Sequence, residues 1–600
     1  MAPETVESIV AAHRAGTMSP AQTVARSYQR IRDHDDPAIF ISLRDEREAL
    51  AEAEALAGRD AAALPLFGVP VAVKDNIDVA GLPTTAACPA FSYRPARDAT
   101  AVARLRAAGA IIIGKTNLDQ FATGLVGVRS PYGVPRNTLR ADLIPGGSSS
   151  GSAVAVAAGL VPLSLGTDTA GSGRVPAMLN NIVGLKPSVG MISNTGLVPA
   201  CRTLDCISVF SLTTDDAVTA LAVMAGPDTS DPFSRDRPLG EVGAFPADLK
   251  LGVPRNGQLV FFGDKHAEKA YQDAVARFVK LGATIVEFDL EPFYDTARLL
   301  YEGPWIAERY LTIRDMLASS PEAIHPVTRE ITIAGARPTA ADAFAAFYKL
   351  EGLRTLARAT FRAADALILP TAPTVYTVDQ VLANPIELNS RLGTYTNFVN
   401  LLDLCGLAVP AAMRADGIPF GITLLASAGH DAALAALGRV FHADTRLPVG
   451  SKGLAQPPLH ARTPAVAEDE IPIAVVGAHL SGMALNGELQ DLDARFIDAT
   501  TTTADYKLYA LPGTTPPKPG MLRVDAGGAA IEVEVWALSA KAFGQFVAAI
   551  PPPLSIGTVR LVDGRGVKGF LMEAAALPGA RDISHFGGWR AFMSAKAETA

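Results

Sequence analysis

The chain has 600 residues, well past the ~250–300 at which a single hydrophobic core stops growing, so at least two units are expected. A composition 49% apolar and 19% charged is that of a soluble globular protein, and a net charge of −8 gives no electrostatic case for nucleic acid or an anionic membrane. No apolar run reaches ~18 residues without a charge or breaker, the N-terminal MAPETVESIVAAHRAG carries acids where an export signal carries bases, and the 4 cysteines lack a CxxC spacing. These features predict a cytoplasmic protein with reduced thiols, no membrane span, no metal site and no cofactor.

In chain order, Ser19-Pro20 reads as an N-cap with proline at the first helical position, followed by an amphipathic helix. A second, acid-rich helix runs from Asp45 to Ala57. Leu66 to Val73 is a short apolar run that ends at Lys74 and reads as a buried strand. Ala99 to Ala108 is helical, and Ala110 to Gly114 is a second buried strand, ending at Lys115-Thr116-Asn117. Further strands are expected at Val161–Gly166, Leu251–Pro254, Thr284–Phe288 and Ala364–Thr371, with helices at Lys265–Leu281 and Asp431–His442. Strands alternating with helices predict an α/β fold, a mixed sheet covered on both faces. From about Ala443 to Glu470 prolines, small residues and an acidic run replace this pattern, which reads as a linker. Strand-like runs at Ile471–Val476, Ala530–Trp536, Gly557–Leu561 and Gly566–Glu573 then predict a smaller β-rich domain. The expected division is 1–445, a linker at 446–470, and 471–600.

The stretch Ile144 to Ala177 concentrates the chemistry. Two small-residue loops, Gly146 to Ser152 and Gly166 to Gly173, bear serines and flank an apolar segment. A phosphate loop is disfavoured because the Gly-Lys-Ser/Thr ending is missing. Gly147-Ser148-Ser149-Ser150-Gly151 matches a nucleophile elbow centred on Ser149, but the preceding residues are too polar to be the strand an elbow needs. A plain helix cap at Ser148–Ser150 is the local default. Against it stands the second loop: Thr167 to Ser172 follows a buried strand directly, and successive amides there can converge on an oxyanion.

GGSSSGSAVAVAAGLVPLSLGTDTAGSGRVPA closely resembles the signature of the amidase family. GVPVAVKDNIDVAG resembles the segment carrying that family's lysine, and Gly114–Gly124 and Gly184–Ser188 match further family segments. Ala170 departs from the pattern, since many members have glycine there. The resemblance implies a Ser-cisSer-Lys triad: Ser172 the nucleophile, Ser148 the bridging serine after a cis peptide bond, and Lys74 the base. Strand position alone does not separate Lys74 from Lys115. The resemblance also implies an oxyanion hole from the amides of Thr169, Ala170, Gly171 and Ser172. Asp168 and Arg174 read as an ion pair that fixes the loop.

The whole chain resembles the allophanate-hydrolysing branch of the family, through Val475–Gly482, Tyr506–Pro512, Ala530–Trp536, Ile550–Thr558 and Phe586–Arg590 as well. That implies a small anionic amide as substrate, hydrolysis to ammonia and carbon dioxide, and a place in urea breakdown beside a biotin-dependent urea carboxylase. Tyr301 and Arg309 match the branch's carboxylate-binding pair; eight positions apart, they would lie near one face if one helix spans both, although Pro304 stands between them. Gly124 is expected to offer a backbone contact. The C-terminal domain resembles a γ-glutamylcyclotransferase-like small β-barrel, with His479 and Glu573 as candidates for decarboxylating the first product; an architectural role, such as holding a homodimer, is the alternative.

Overall fold

The computed structural model describes residues 3–246, 249–460, 466 and 470–598. It divides into two compact units, Met1–His460 and Ala461–Ala600. Residues 446–460, expected in the linker, instead pack on the first unit. Gly450 N–H donates to Asn181 O at 3.1 Å, Ser451 N–H to Ala157 O at 3.0 Å, and Gln456 Nε2 to His442 O at 2.9 Å. The rest of the expected linker lies outside the described residues, apart from Val466 and Glu470.

The first unit is built on strands β1 (Phe40–Leu43), β2 (Pro70–Lys74), β3 (Ile111–Thr116), β4 (Leu163–Asp168), β5 (Val183–Lys186), β6 (Cys206–Ser211), β7 (Lys250–Pro254), β8 (Thr284–Phe288), β9 (Ala366–Pro370), β10 (Leu404–Met413) and β11 (Pro419–Ser427). They form one 11-stranded sheet in the order β1-β3-β2-β4-β6-β5-β10-β11-β9-β7-β8. β2 runs parallel to both β3 and β4, whereas β4 to β6 and β10 to β11 are antiparallel, so the sheet is mixed.

Alternation along the strands sends side chains to two cores. Val71, Val73, Leu163 and Leu165 pack on one face with the helices Thr214–Met224, Lys265–Lys280 and Asp431–Thr445. Ala72, Ile111 and Ile113 pack on the other with Pro20–His34, Glu46–Ala55 and Ser150–Ala157. β2, β3 and β4 are buried along their whole length, which is why they read as continuous apolar runs. Ser19 caps Pro20–His34 by accepting from Gln22 N–H at 3.2 Å. Among the described residues no helix is long and apolar enough to cross a membrane.

Among its described residues the second unit has eight strands: β12 (Glu470–Val475), β13 (Arg495–Thr501), β14 (Tyr506–Ala510), β15 (Pro519–Arg523), β16 (Glu532–Ser539), β17 (Leu554–Arg560), β18 (Gly566–Met572) and β19 (Arg581–Asp582). They form a five-stranded sheet, β13-β16-β12-β18-β17, and a three-stranded one, β15-β14-β19. Its core gathers Ile473, Val475, Val533, Val535, Phe570 and Trp589.

Candidate active site

The parallel pairing of β2 with β4 sets Val73 opposite Leu165, so the C-terminal ends of two neighbouring strands open at one place. Ligand sites in open α/β sheets form at such ends. Lys74, the last residue of β2, is fully buried there. Its Nζ donates to Ser148 Oγ at 2.7 Å and to Thr167 Oγ1 at 2.7 Å. The Gly147–Ser148 peptide bond is cis. Gly147 has no room for a side chain: a Cβ there would stand 2.1 Å from Asp119 Oδ2.

The neighbouring serines separate cleanly by partner. Ser149 Oγ bonds Thr167 backbone, donating to its carbonyl at 3.2 Å and accepting from its N–H at 3.3 Å. Ser150 Oγ donates to Asn117 O at 3.4 Å, and Ser152 Oγ to Leu165 O at 2.8 Å. Ser148 is the one that meets the lysine. The helix-cap reading is not realised either, because Ser149 occupies the N-cap position without a side-chain cap bond.

Burial pulls the Lys74 ammonium down to about 7; Asp119, Asp205 and Asp168 oppose that by favouring the charged form, and Arg309 adds to it. Lys115 differs in its partner. Equally buried, it lies 3.2 Å from Asp75 Oδ1 and donates to Pro83 O and Thr84 Oγ1.

Ser172 is 4% exposed, in the loop after β4. Its Oγ makes no hydrogen bond among the described residues, so the Lys74–Ser148 link is formed and a Ser148–Ser172 link is not. Catalytic hydrogen bonds often close only around substrate. Beneath the loop, Arg174 grips Asp168 with Nε at 2.8 Å and Nη2 at 2.9 Å. Burial would raise the Asp168 carboxyl, but Arg174, Lys186 and the Gly173 N–H hold it below the usual range.

The expected oxyanion set needs one correction. Gly171 N–H donates to Asp168 Oδ1 at 2.9 Å, drawn down to that buried carboxylate together with Gly173 N–H. The amides of Thr169, Ala170 and Ser172 have no protein acceptor among the described residues. Thr169 Oγ1 donates to Asp205, whose carboxyl burial pushes up to about 6 against the pull of Thr169 and of the Cys201 and Ala200 amides.

Tyr301 and Arg309 do meet, but not on one helix. Tyr301 ends the helix Glu291–Tyr301 and Arg309 lies in Ile306–Ser319; the break between them holds Pro304, which has no N–H to continue the ladder. Arg309 Nη2 donates to Tyr301 OH at 3.3 Å, and its Nε is buried without a partner. Gly124 has its backbone against Asp119, where a Cβ would come within 2.5 Å of Oδ2.

Sequence reasoning missed two residues. Thr167 is found only through the β2/β4 register. Asp119 lies in the Gly114–Gly124 run but was given no role; its N–H donates to Ser148 O at 3.0 Å, and its carboxylate accepts from Val126, Gly127 and Arg129 N–H at 3.2, 2.9 and 3.0 Å.

In the second unit, His479 follows β12. Its Nε2 lies 2.9 Å from Glu488 Oε2, and its ring stacks on Phe570 at 5.2 Å and meets Phe546 edge-on at 5.1 Å. Glu573 is exposed just past β18 and makes no side-chain hydrogen bond or ion pair among the described residues. The carboxylate beside His479 is therefore Glu488.

Residues 22–435 match the amidase family model. The chain belongs to the amidase family. Residues 471–594 match the model described as the allophanate hydrolase C-terminal domain. The urea amidolyases of Saccharomyces cerevisiae and Lachancea kluyveri are each 43% identical, over 92% and 93% of this chain. The chain spans only 31% of the length of either of them. A solved structure of Kluyveromyces lactis allophanate hydrolase is 42% identical, covers 99% of both chains and superposes with a TM-score of 0.85.

Proposed function

We propose that this amidase-family chain hydrolyses allophanate to ammonia and carbon dioxide through an acyl-enzyme. The observation that carries the reading is a buried lysine whose Nζ sits 2.7 Å from the hydroxyl of Ser148. A serine hydroxyl is a weak nucleophile until a base takes its proton. Lys74 can be that base because burial holds a neutral fraction near pH 7. In the relay, Lys74 accepts a proton from Ser148, Ser148 accepts one from Ser172, and Ser172 Oγ attacks the terminal amide carbon.

The tetrahedral oxyanion then faces the amides of Thr169, Ala170 and Ser172, donors of a kind each worth about 3–4 kcal/mol in the transition state. Collapse breaks the C–N bond, and the relay returns the proton to the departing ammonia. Water cleaves the Ser172 ester by the same relay and releases N-carboxycarbamate, a dicarboxylate that yields the second ammonia on loss of carbon dioxide. Arg309 and Tyr301 hold the substrate carboxylate: the unpartnered Nε and the adjacent Nη2 form the edge that fits two carboxylate oxygens.

We also read the chain as a cytoplasmic homodimer working beside a biotin-dependent urea carboxylase. The much greater length of the two urea amidolyases supports the association, and the exposed Phe344, Tyr348 and Ile333 support a subunit contact.

Ammonia release from allophanate and from malonamate tests the substrate. Allophanate is expected to be turned over, and Ser172→Ala to abolish turnover while leaving thermal unfolding unchanged. Turnover of malonamate alone overturns the substrate; undiminished activity in Ser172→Ala overturns the nucleophile.

A further inference from the structure

Two arginines are buried against the segment 121–124, and neither forms an ion pair within 4.0 Å among the described residues. Arg129, 1% exposed, donates from Nη1 to Thr123 O at 2.8 Å and from Nη2 to Pro385 O at 2.6 Å. Arg309, 3% exposed, donates from Nη1 to Ala122 O and to Thr123 Oγ1, both at 3.1 Å. Both guanidinium groups therefore grip Thr123, one by its carbonyl and the other by its hydroxyl. Among the described residues no carboxylate oxygen lies within 4.0 Å of either group, and the Nε of each is buried with no hydrogen-bond partner. Asp119, which helps hold this segment, is occupied by the three amides of Val126, Gly127 and Arg129. Arg129 also packs directly behind the backbone of Gly124: a Cβ there would lie 3.2 Å from its Nη1.

Asp119 favours the charge of Arg129, and Asp205 and Glu308 that of Arg309, but none touches its guanidinium, so the cost of burying the two cations is offset only from a distance and removing a charge would relieve it. Anchoring Thr123 does not require the charge, because a neutral amide side chain could donate to the same carbonyl. What a second cation adds is potential. In a water-poor site its field falls off slowly with distance and acts on whatever charge enters. One carboxylate is matched by the edge of Arg309. The hydrolysis product bears two.

We infer that Arg129 is a specificity-determining positioning residue of the anion site: it holds Thr123 and Gly124 in place and, with Arg309, supplies the positive potential that selects carboxylate-bearing amides and retains the dicarboxylate formed from them. The inference rests on reading this site as one for a small anionic amide.

The test is calorimetric binding to the full chain in a Ser172→Ala background, where nothing turns over. The probes are malonate, a dicarboxylate of the product's shape, and malonamide, its uncharged counterpart. Arg129→Met and Arg129→Gln are expected to weaken malonate roughly tenfold or more, while Arg129→Lys weakens it less than about threefold and malonamide binding stays put. Arg129→Gln keeps a donor toward Thr123 O, so it separates charge from anchoring, and unfolding temperatures report whether each variant is folded. Equal losses in the Lys, Gln and Met variants overturn the inference, as does a parallel loss of malonate and malonamide, or no loss at all. The proposed reaction fails by a different result, no ammonia from allophanate with the unaltered Ser172, and the binding comparison can still be made in that case.

Discussion

A lysine accepts a proton only when uncharged, so in the proposed relay the environment of Lys74 sets the pH at which the site can work. With its ammonium drawn down to about 7 by burial, the base becomes competent as pH rises through neutrality. The expected kcat/KM for allophanate therefore climbs through an inflection near 7 and levels off above it. Thr167 accepts a hydrogen bond that the ammonium uses better than the amine does. Thr167→Val should move the inflection to lower pH and cut kcat about tenfold with KM changed less than about twofold, and Thr167→Ser should restore both. An inflection that stays in place in Thr167→Val removes Lys74 from the assignment. The residue types of this site were legible in the sequence, but strand position left Lys74 and Lys115 level and only the family resemblance chose Lys74. Lys74 ends β2 and Lys115 is the last residue but one of β3, both strands buried. What separates them is the partner, hydroxyls for Lys74 and the Asp75 carboxylate for Lys115, and partners are set by sheet register.

Elements carry this register. β2, β3 and β4 were readable because each is buried on both faces and so is apolar throughout. β10 was not: it holds Gly406 and Pro410, residues that disfavour strands, yet the strand continues through both, its pairing with β11 shifting between Pro410 and Ala412 where a bulge absorbs the proline. The helix Ser150–Ala157 is buried all round, so it gives no amphipathic signal of its own. The loop before it is held from below by Asp119, whose carboxylate is fixed by three amides and cannot yield. A methyl at Gly147 would meet that carboxylate at 2.1 Å and displace Ser148. Gly147→Ala is therefore expected to lower kcat by about a hundredfold or more, the usual effect of shifting a catalytic group by ~1 Å. Circular dichroism should stay native if the effect is confined to this loop, and a lost spectrum would mean that the contact serves the fold instead. Near-normal turnover in Gly147→Ala contradicts the idea that Asp119 fixes the serine loop.

The whole molecule joins this amidase unit to a second unit with its own two sheets and its own core, and the chemistry leaves a task for it. In the proposed reaction, hydrolysis at Ser172 ends at N-carboxycarbamate, with one ammonia released and the second nitrogen still bound in the product. We read His479 as the residue of the second unit that acts on it. Its ring is held between Phe546 and Phe570 and oriented by Glu488. Burial lowers its ability to take a proton, while Glu488 pulls the other way. The imidazolium form, which Glu488 favours, can hand a proton to the nitrogen that decarboxylation leaves behind, and the neutral ring then takes one back from water. His479→Ala in the full chain should leave the first ammonia at its normal rate and slow the second, so that early release falls to roughly one ammonia per allophanate consumed instead of two. The Phe570 and Phe546 contacts make the same substitution a test of packing, so His479→Gln, which keeps a polar group of similar reach beside Glu488, is the paired variant. Two ammonia per allophanate at the unaltered rate in both variants would mean that the second unit leaves this step to solution and serves as architecture. A loss of the first ammonia as well would mean that the substitution had disturbed the amidase unit, and that His479 acts on the fold and not on the intermediate.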